Sequence, residues 1–154
     1  MLLPIRSSRS VRPHTSKPMP NRDHRDLAVW QRAVDLAVLT HVIVDDFTLA
    51  NRIAYGAQLR RAAVSIAANI AEGAARRYRA ELIQHLSIAR GSLAELQTHR
   101  VIVGRLSLAP AEKLNAMDDT MDHVARMLTS SVRVLSRTKG TAAQRPGRTK
   151  RTGT

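Results

Sequence analysis

The chain has 154 residues, 44% of them apolar but only 3% aromatic, with no cysteine and a net charge of +13. One domain is the expectation for that length, and its core must come from Leu, Ile, Val, Met and Ala, which suits helix-on-helix packing. Disulfides, thiolate metal sites and a cysteine nucleophile are excluded, and no apolar run approaches the roughly 20 residues that span a bilayer.

The basicity is uneven. Residues 1–25 hold six Arg/Lys and one Asp, and residues 137–154 hold six Arg/Lys and no acid. Residues 26–136 carry thirteen basic and eleven acidic side chains. Both flanks are rich in Ser, Thr, Pro, Gly and Arg without apolar periodicity, so disordered basic tails are expected at 1–25 and 137–154 around a folded domain at 26–136. The opening "MLLPI" is too short for a secretory signal. The Arg/Ser-rich "RSSRSVRPHTSK" also describes an organelle transit segment, although a cytoplasmic protein is the main expectation.

Asp26 is placed to cap a first helix. Leu27, Trp30, Val34, Ala37, His41 and Val44 recur there at helical spacing and predict a core stripe about five turns long. "DDFTLAN" interrupts it, with Thr48 or Asn51 available to cap a second helix over about 50–75. A third helix is predicted over about 79–105, with Leu82, Leu86, Ala89, Leu93 and Leu96 in line. "SLAP" ends it, and Pro110 suits the first turn of a fourth helix. The fourth carries Leu114, Met117, Met121, Val124, Leu128 and Leu135. No alternating strand pattern occurs. The fold class expected is all-α, an antiparallel up-down four-helix bundle.

Helix two is unusual. Tyr55, Leu59, Ala63, Ile66, Ile70 and Gly73 share a core face on a 100° wheel. Beside it runs a polar strip of Gln58, Arg61, Ser65, Asn69, Glu72 and Arg76. The far side holds Val64, Ala67, Ala68 and Ala71, with Arg60 its only charge, where a surface helix normally shows several charges. Helix three repeats this mildly with Ile88, Gly91, Glu95 and Ile102. Second faces of this kind predict packing against another subunit. A buried polar group without a partner costs roughly 1–3 kcal/mol. Ser65, Asn69 and Glu72 are therefore read as structural specifiers, paired with Arg90, Ser92 or Glu95 of helix three and fixing register as a lone Asn does in a coiled coil.

"QLRRAAVSIAANIAEG" (58–73), "LSIARGSLAEL" (86–96) and "DLAVWQRAVDL" (26–36) resemble a bacterial four-helix-bundle family. It includes proteins encoded by intervening sequences in 23S rRNA genes and the accessory variability proteins of diversity-generating retroelements. The resemblance covers about 24–136. This chain has Ala67 where the family usually has Pro, and Phe47-Thr48 where Phe-Pro is frequent. The resemblance implies a homopentamer of bundles with a basic surface for RNA or DNA and, in the retroelement case, a reverse transcriptase as partner. Arg60, Arg61 and Arg90 match the family motifs, while Arg76, Arg77 and Arg79 are this chain's own cluster. Arginine pairs at a helix end grip phosphates or stabilise the helix dipole by roughly 0.3–1 kcal/mol; the sequence leaves both open. Arg60, Arg61, Arg76, Arg77 and Arg79 are the candidate nucleic-acid contacts.

Catalytic constellations are scarce. There is no P-loop, dinucleotide fingerprint, H-E-x-x-H or di-iron Glu-x-x-His repeat. Glu81/His85 and Asp119/His123 have i,i+4 spacing but read as solvated pairs, and His41 as a hydrogen-bonded, partly buried imidazole. The expectation is a non-enzymatic oligomer without cofactor, metal or membrane, binding RNA or DNA electrostatically as an accessory factor. A structural, protein-interaction oligomer is the alternative.

Overall fold

The computed structural model describes residues 18, 19 and 23–137. A 3-10 turn at His24–Asp26 leads into α1, Ala28–Asp45. The segments Leu49–Asn51, π-helical Arg52–Gly56 and Ala57–Ala74 run on without a break and together form α2. The remaining helices are α3, Arg79–Arg105, and α4, Ala111–Arg137. Among the described residues there is no strand. The helices pack in a ring, α1 on α2, α2 on α3, α3 on α4 and α4 back on α1, which is the expected all-α bundle. Apart from residues 18, 19, 23–25 and 137, the expected basic tails lie outside the described residues.

Local chemistry explains the helix ends. Asp26 does not cap α1; it closes the 3-10 turn, and the side chain of Asp23 caps that turn from outside through the N–H of Arg25. This bond and the Arg25 guanidinium hold the Asp23 carboxyl below its usual pKa. Thr48 accepts from the N–H of Asn51 at 3.4 Å and opens α2. Arg52 donates to the carbonyls of Asp45 at 2.6 Å and Phe47 at 3.4 Å, satisfying acceptors at the end of α1. Ser107 takes a left-handed φ of 53° after α3, and the N–H of Leu108 closes on Val103 O at 3.1 Å.

The predicted core stripes hold for α3 and α4, where Leu86, Ala89, Leu93, Leu96, Leu114, Met117, Met121, Val124 and Leu128 are buried. Leu82 and Leu135 are partly buried against them. On α2 the core face is Leu59, Ala62, Ala63, Ile66, Ile70 and Gly73, with Tyr55 only half-buried. Upstream of the π segment Leu49 and Ile53 are exposed, so the stripe does not continue across that change of helical register.

On α1 the expectation needs correction. The buried residues are Val29, Ala33, Leu36, Thr40, Ile43 and Val44, whereas Trp30, Val34, Ala37 and His41 are half-buried on an adjacent face. Both rows have helical spacing. Ala33 and Thr40 are small enough for close packing, and Thr40 hides its hydroxyl by donating to Leu36 O at 2.8 Å.

Two glycines test the packing in opposite directions. A Cβ on Gly73 would lie 2.8 Å from the Cβ of His85 and 3.0 Å from Leu82 Cδ1, while one on Gly91 would meet nothing within 4 Å. Gly73→Ala is expected to lower the unfolding free energy by about 1–3 kcal/mol through overpacking. Gly91→Ala is expected to raise it by roughly 0.5–1 kcal/mol, as for any exposed mid-helix glycine. Urea unfolding followed by circular dichroism measures both.

Candidate functional site

The polar strip of α2 lies along the α2–α3 seam. Ser65 Oγ and Ser92 Oγ are 2.9 Å apart, so one hydroxyl donates to the other across the helices. Asn69 Nδ2 donates to Ser65 O at 2.8 Å and to Ser65 Oγ at 3.2 Å. Ser92 also reaches Ile88 O at 3.3 Å. Glu72 faces His85, with 3.6 Å between Oε2 and Nδ1. His85 Nε2 accepts from Arg76 Nε at 3.3 Å, which places the ring proton on Nδ1 toward Glu72. The structure thus brings Ser65, Asn69 and Ser92 together and places His85 between Glu72 and Arg76. Arg90 stands exposed outside this network, and Glu95 lies 3.7 Å from His99 on its own helix.

Sequence reasoning missed His85 by weighing it with Glu81 on the same helix. Glu81 instead accepts from the N–H of Tyr78 at 3.1 Å and caps α3. Among the described residues, no three His, Cys, Asp or Glu side chains come together as metal ligands. His41 Nδ1 donates to Ala37 O at 2.8 Å.

The five candidate arginines do not form one patch. Arg60 is held by Asp45 at the end of α1, which offsets its charge, while Arg61 is exposed on the neighbouring strip. About 22 Å farther along α2, at 1.5 Å per residue, Arg76 and Arg77 are exposed at the turn into α3. Arg79 starts α3 and donates to Leu135 O near the end of α4 at 3.4 Å. Arg76, Arg77 and Arg79 therefore share the end of the bundle at which α1 begins and α4 stops. Met19 N–H donates to Arg77 O at 3.0 Å, placing the approaching chain at the same end.

The far side of α2 is open. Val64 is 48% exposed, and across from it on α1 Val38 is 58% exposed. Between the helices lies a groove of about 550 Å³ lined by Trp30, Val34, Ala37, Ala67, Ala68 and Ala71 as well as these valines, with His24 and His41 its polar members. The half-buried row on α1 thus faces the alanine flank of α2.

The family profile described as 23S rRNA-intervening sequence protein matches residues 25–130. The chain belongs to that family. A solved structure from the S23 ribosomal protein family of Bacteroides thetaiotaomicron, a protein of unknown function, shares this fold with a TM-score of 0.62. It is 22% identical to this chain and covers 68% of it, with 98% of its own length matched. No curated protein matches the chain significantly.

Membership in the 23S rRNA-intervening sequence protein family spans the seam and groove, but the match stops before Arg133 and Arg137. Among the described residues, no helix is long and apolar enough to cross a membrane.

The seam gives a direct test. In a cycle of Ser65→Ala, Ser92→Ala and the double variant, the coupling energy is expected to be about 0.5–1.5 kcal/mol, the net value of one hydrogen bond. Additive losses in chemical unfolding would show that the two hydroxyls do not support each other.

Proposed function

We propose that this protein is a non-enzymatic, self-assembling bundle that binds RNA or DNA through phosphate contacts as an accessory factor. The observation carrying this reading is the concentration of charge at one end. Arg76, Arg77 and Arg79 stand where both Arg-rich flanking segments join the bundle. Residues 23–137 hold fifteen Arg/Lys and twelve Asp/Glu, so ten of the thirteen net charges belong to those segments. Such an arrangement gains affinity for a polyanion by releasing counterions. With one Trp, two Tyr and one Phe, base stacking contributes little, and binding is independent of sequence.

The α1/α2 groove supports the assembly half of the reading. Copies burying this flank would remove Val38, Val42 and Val64 from water. Five copies around an axis is the arrangement that the family resemblance implies, and a reverse transcriptase is the protein partner it implies for the retroelement members. Burial of the groove without nucleic-acid binding would leave the protein a structural oligomer.

Two measurements test these halves. Affinity for a labelled single-stranded RNA is expected to fall by a factor of about 300 or more between ~50 and 200 mM salt if at least six phosphates are engaged at ~0.7 each. Removing residues 1–22 and 138–154 is expected to flatten that dependence; absence of binding at low salt would refute the nucleic-acid role. In sedimentation, wild type is expected to be oligomeric at micromolar concentration and Val64→Glu/Ala68→Glu monomeric. A folded wild-type monomer would refute assembly.

A further inference from the structure

The α3/α4 side of the bundle carries arginines that neither seam nor core uses. Arg90 on α3 and Arg126 and Arg133 on α4 are exposed and have no hydrogen-bond or ion-pair partner among the described residues. They border two adjoining recesses of about 220 and 350 Å³ that share Ala125 and Thr129 in their linings. Ala94 and Ala125 keep the floor low, and Gln97, Thr129 and Ser130 add neutral hydrogen-bonding groups. The ion pair Arg100–Asp118, beside Asp122, ends the basic tract in one direction. In the other it continues past Arg137 to Arg79 and the basic end of the bundle.

We propose that this α3/α4 groove holds the phosphate backbone of a nucleic-acid strand, with Arg90, Arg126 and Arg133 as its phosphate contacts. This deepens the nucleic-acid reading above and rests on it. Arg126 and Arg133 are separated by seven residues, about 10 Å along α4. Arg90 borders the adjoining recess from α3. The helix dipole attracts cations only within the last turn, so it accounts for Arg137 but not for Arg126, about three turns earlier, or for Arg90 in mid-helix. An anionic membrane or a protein anchor would need apolar residues to insert, and none of the exposed large apolar side chains lines these recesses. The groove lies across the ring from the α1/α2 groove.

The test is fluorescence anisotropy on the full chain with a labelled 30-nucleotide RNA from ~50 to 200 mM salt. Arg90→Gln/Arg126→Gln/Arg133→Gln is expected to weaken binding at least ~30-fold at ~50 mM and to reduce the log–log salt slope by about 2, three phosphates at ~0.7 each. A control with equal charge loss, Arg32→Gln/Arg105→Gln/Lys113→Gln, away from both the groove and the basic end, is expected to stay within ~3-fold of wild type. Circular dichroism melting verifies that both variants are folded. Equal weakening by the control would overturn the groove, since net charge alone would then matter. Wild-type affinity in the groove variant would also overturn it while leaving nucleic-acid binding to the basic end. No binding by wild type at ~50 mM would overturn the nucleic-acid reading and this proposal together. Groove-dependent binding to phosphatidylserine vesicles without RNA binding would replace the partner with a membrane and overturn the proposal.

Discussion

The backbone of α2 comes so near its neighbours that two positions leave no room for a side chain. A Cβ on Gly56 would lie 2.6 Å from Val44 Cγ1, and one on Gly73 would lie 2.8 Å from the Cβ of His85. Close approach at these points favours small residues on the flanks of α2, and its alanines contribute little apolar area each. Leu59, Ile66 and Ile70 of α2 still reach the core, where they pack with Leu86, Leu93, Leu96, Met117, Met121 and Leu128 of α3 and α4. The same small residues leave the α1 flank of α2 shallow, and there the groove opens. Helix proximity, core composition and the uncovered groove are consequences of one packing constraint.

That proximity also explains why hydroxyls and an amide populate the seam. Short side chains such as Ser65, Ser92 and Asn69 fit between close helices and satisfy one another there. A hydroxyl pair has a narrow distance range, so a one-residue slip of α2 against α3 would leave both groups unmatched in a poorly solvated place. Leucine contacts tolerate such slips far better. The polar seam therefore contributes specificity of register more than net stability.

Where one row of large apolar residues dominates a helix, the sequence pattern was enough. The rows on α3 and α4 led directly to their buried residues, and the chain breaks at "DDFTLAN" and "SLAP" to the helix ends. On α1 two apolar rows compete, and periodicity cannot say which neighbour covers which row; the row that is buried includes Thr40, whose hydroxyl is satisfied by Leu36 O only once the helix has formed. The Ser65–Ser92 contact was legible because both sit at the edge of a predicted face. The capture of Arg60 by Asp45 and the position of His85 between Glu72 and Arg76 depend on residues brought together between helices, so no spacing within one helix reveals them. The arginine groove was missed for the same reason. Adjacent pairs such as Arg76-Arg77 are conspicuous in a sequence, whereas Arg126 and Arg133 share a face only after the helix turns twice, and Arg90 joins them from another helix.

Placing an apolar groove and an arginine groove on opposite sides has an energetic consequence for the proposed assembly. Each copy brings thirteen net positive charges, and like charges resist association over the Debye length, about 8 Å at physiological ionic strength. A polyanion seated on α3/α4 relieves that repulsion without competing for the α1/α2 flank. Linkage then works in both directions: by whatever factor nucleic acid tightens assembly, assembly tightens nucleic-acid binding. One groove engaging about three phosphates binds weakly, but several held rigidly in one particle raise the effective concentration of each contact. Had the arginines shared a face with Val38 and Val64, every subunit contact would have cost a phosphate contact, and the two functions would oppose each other.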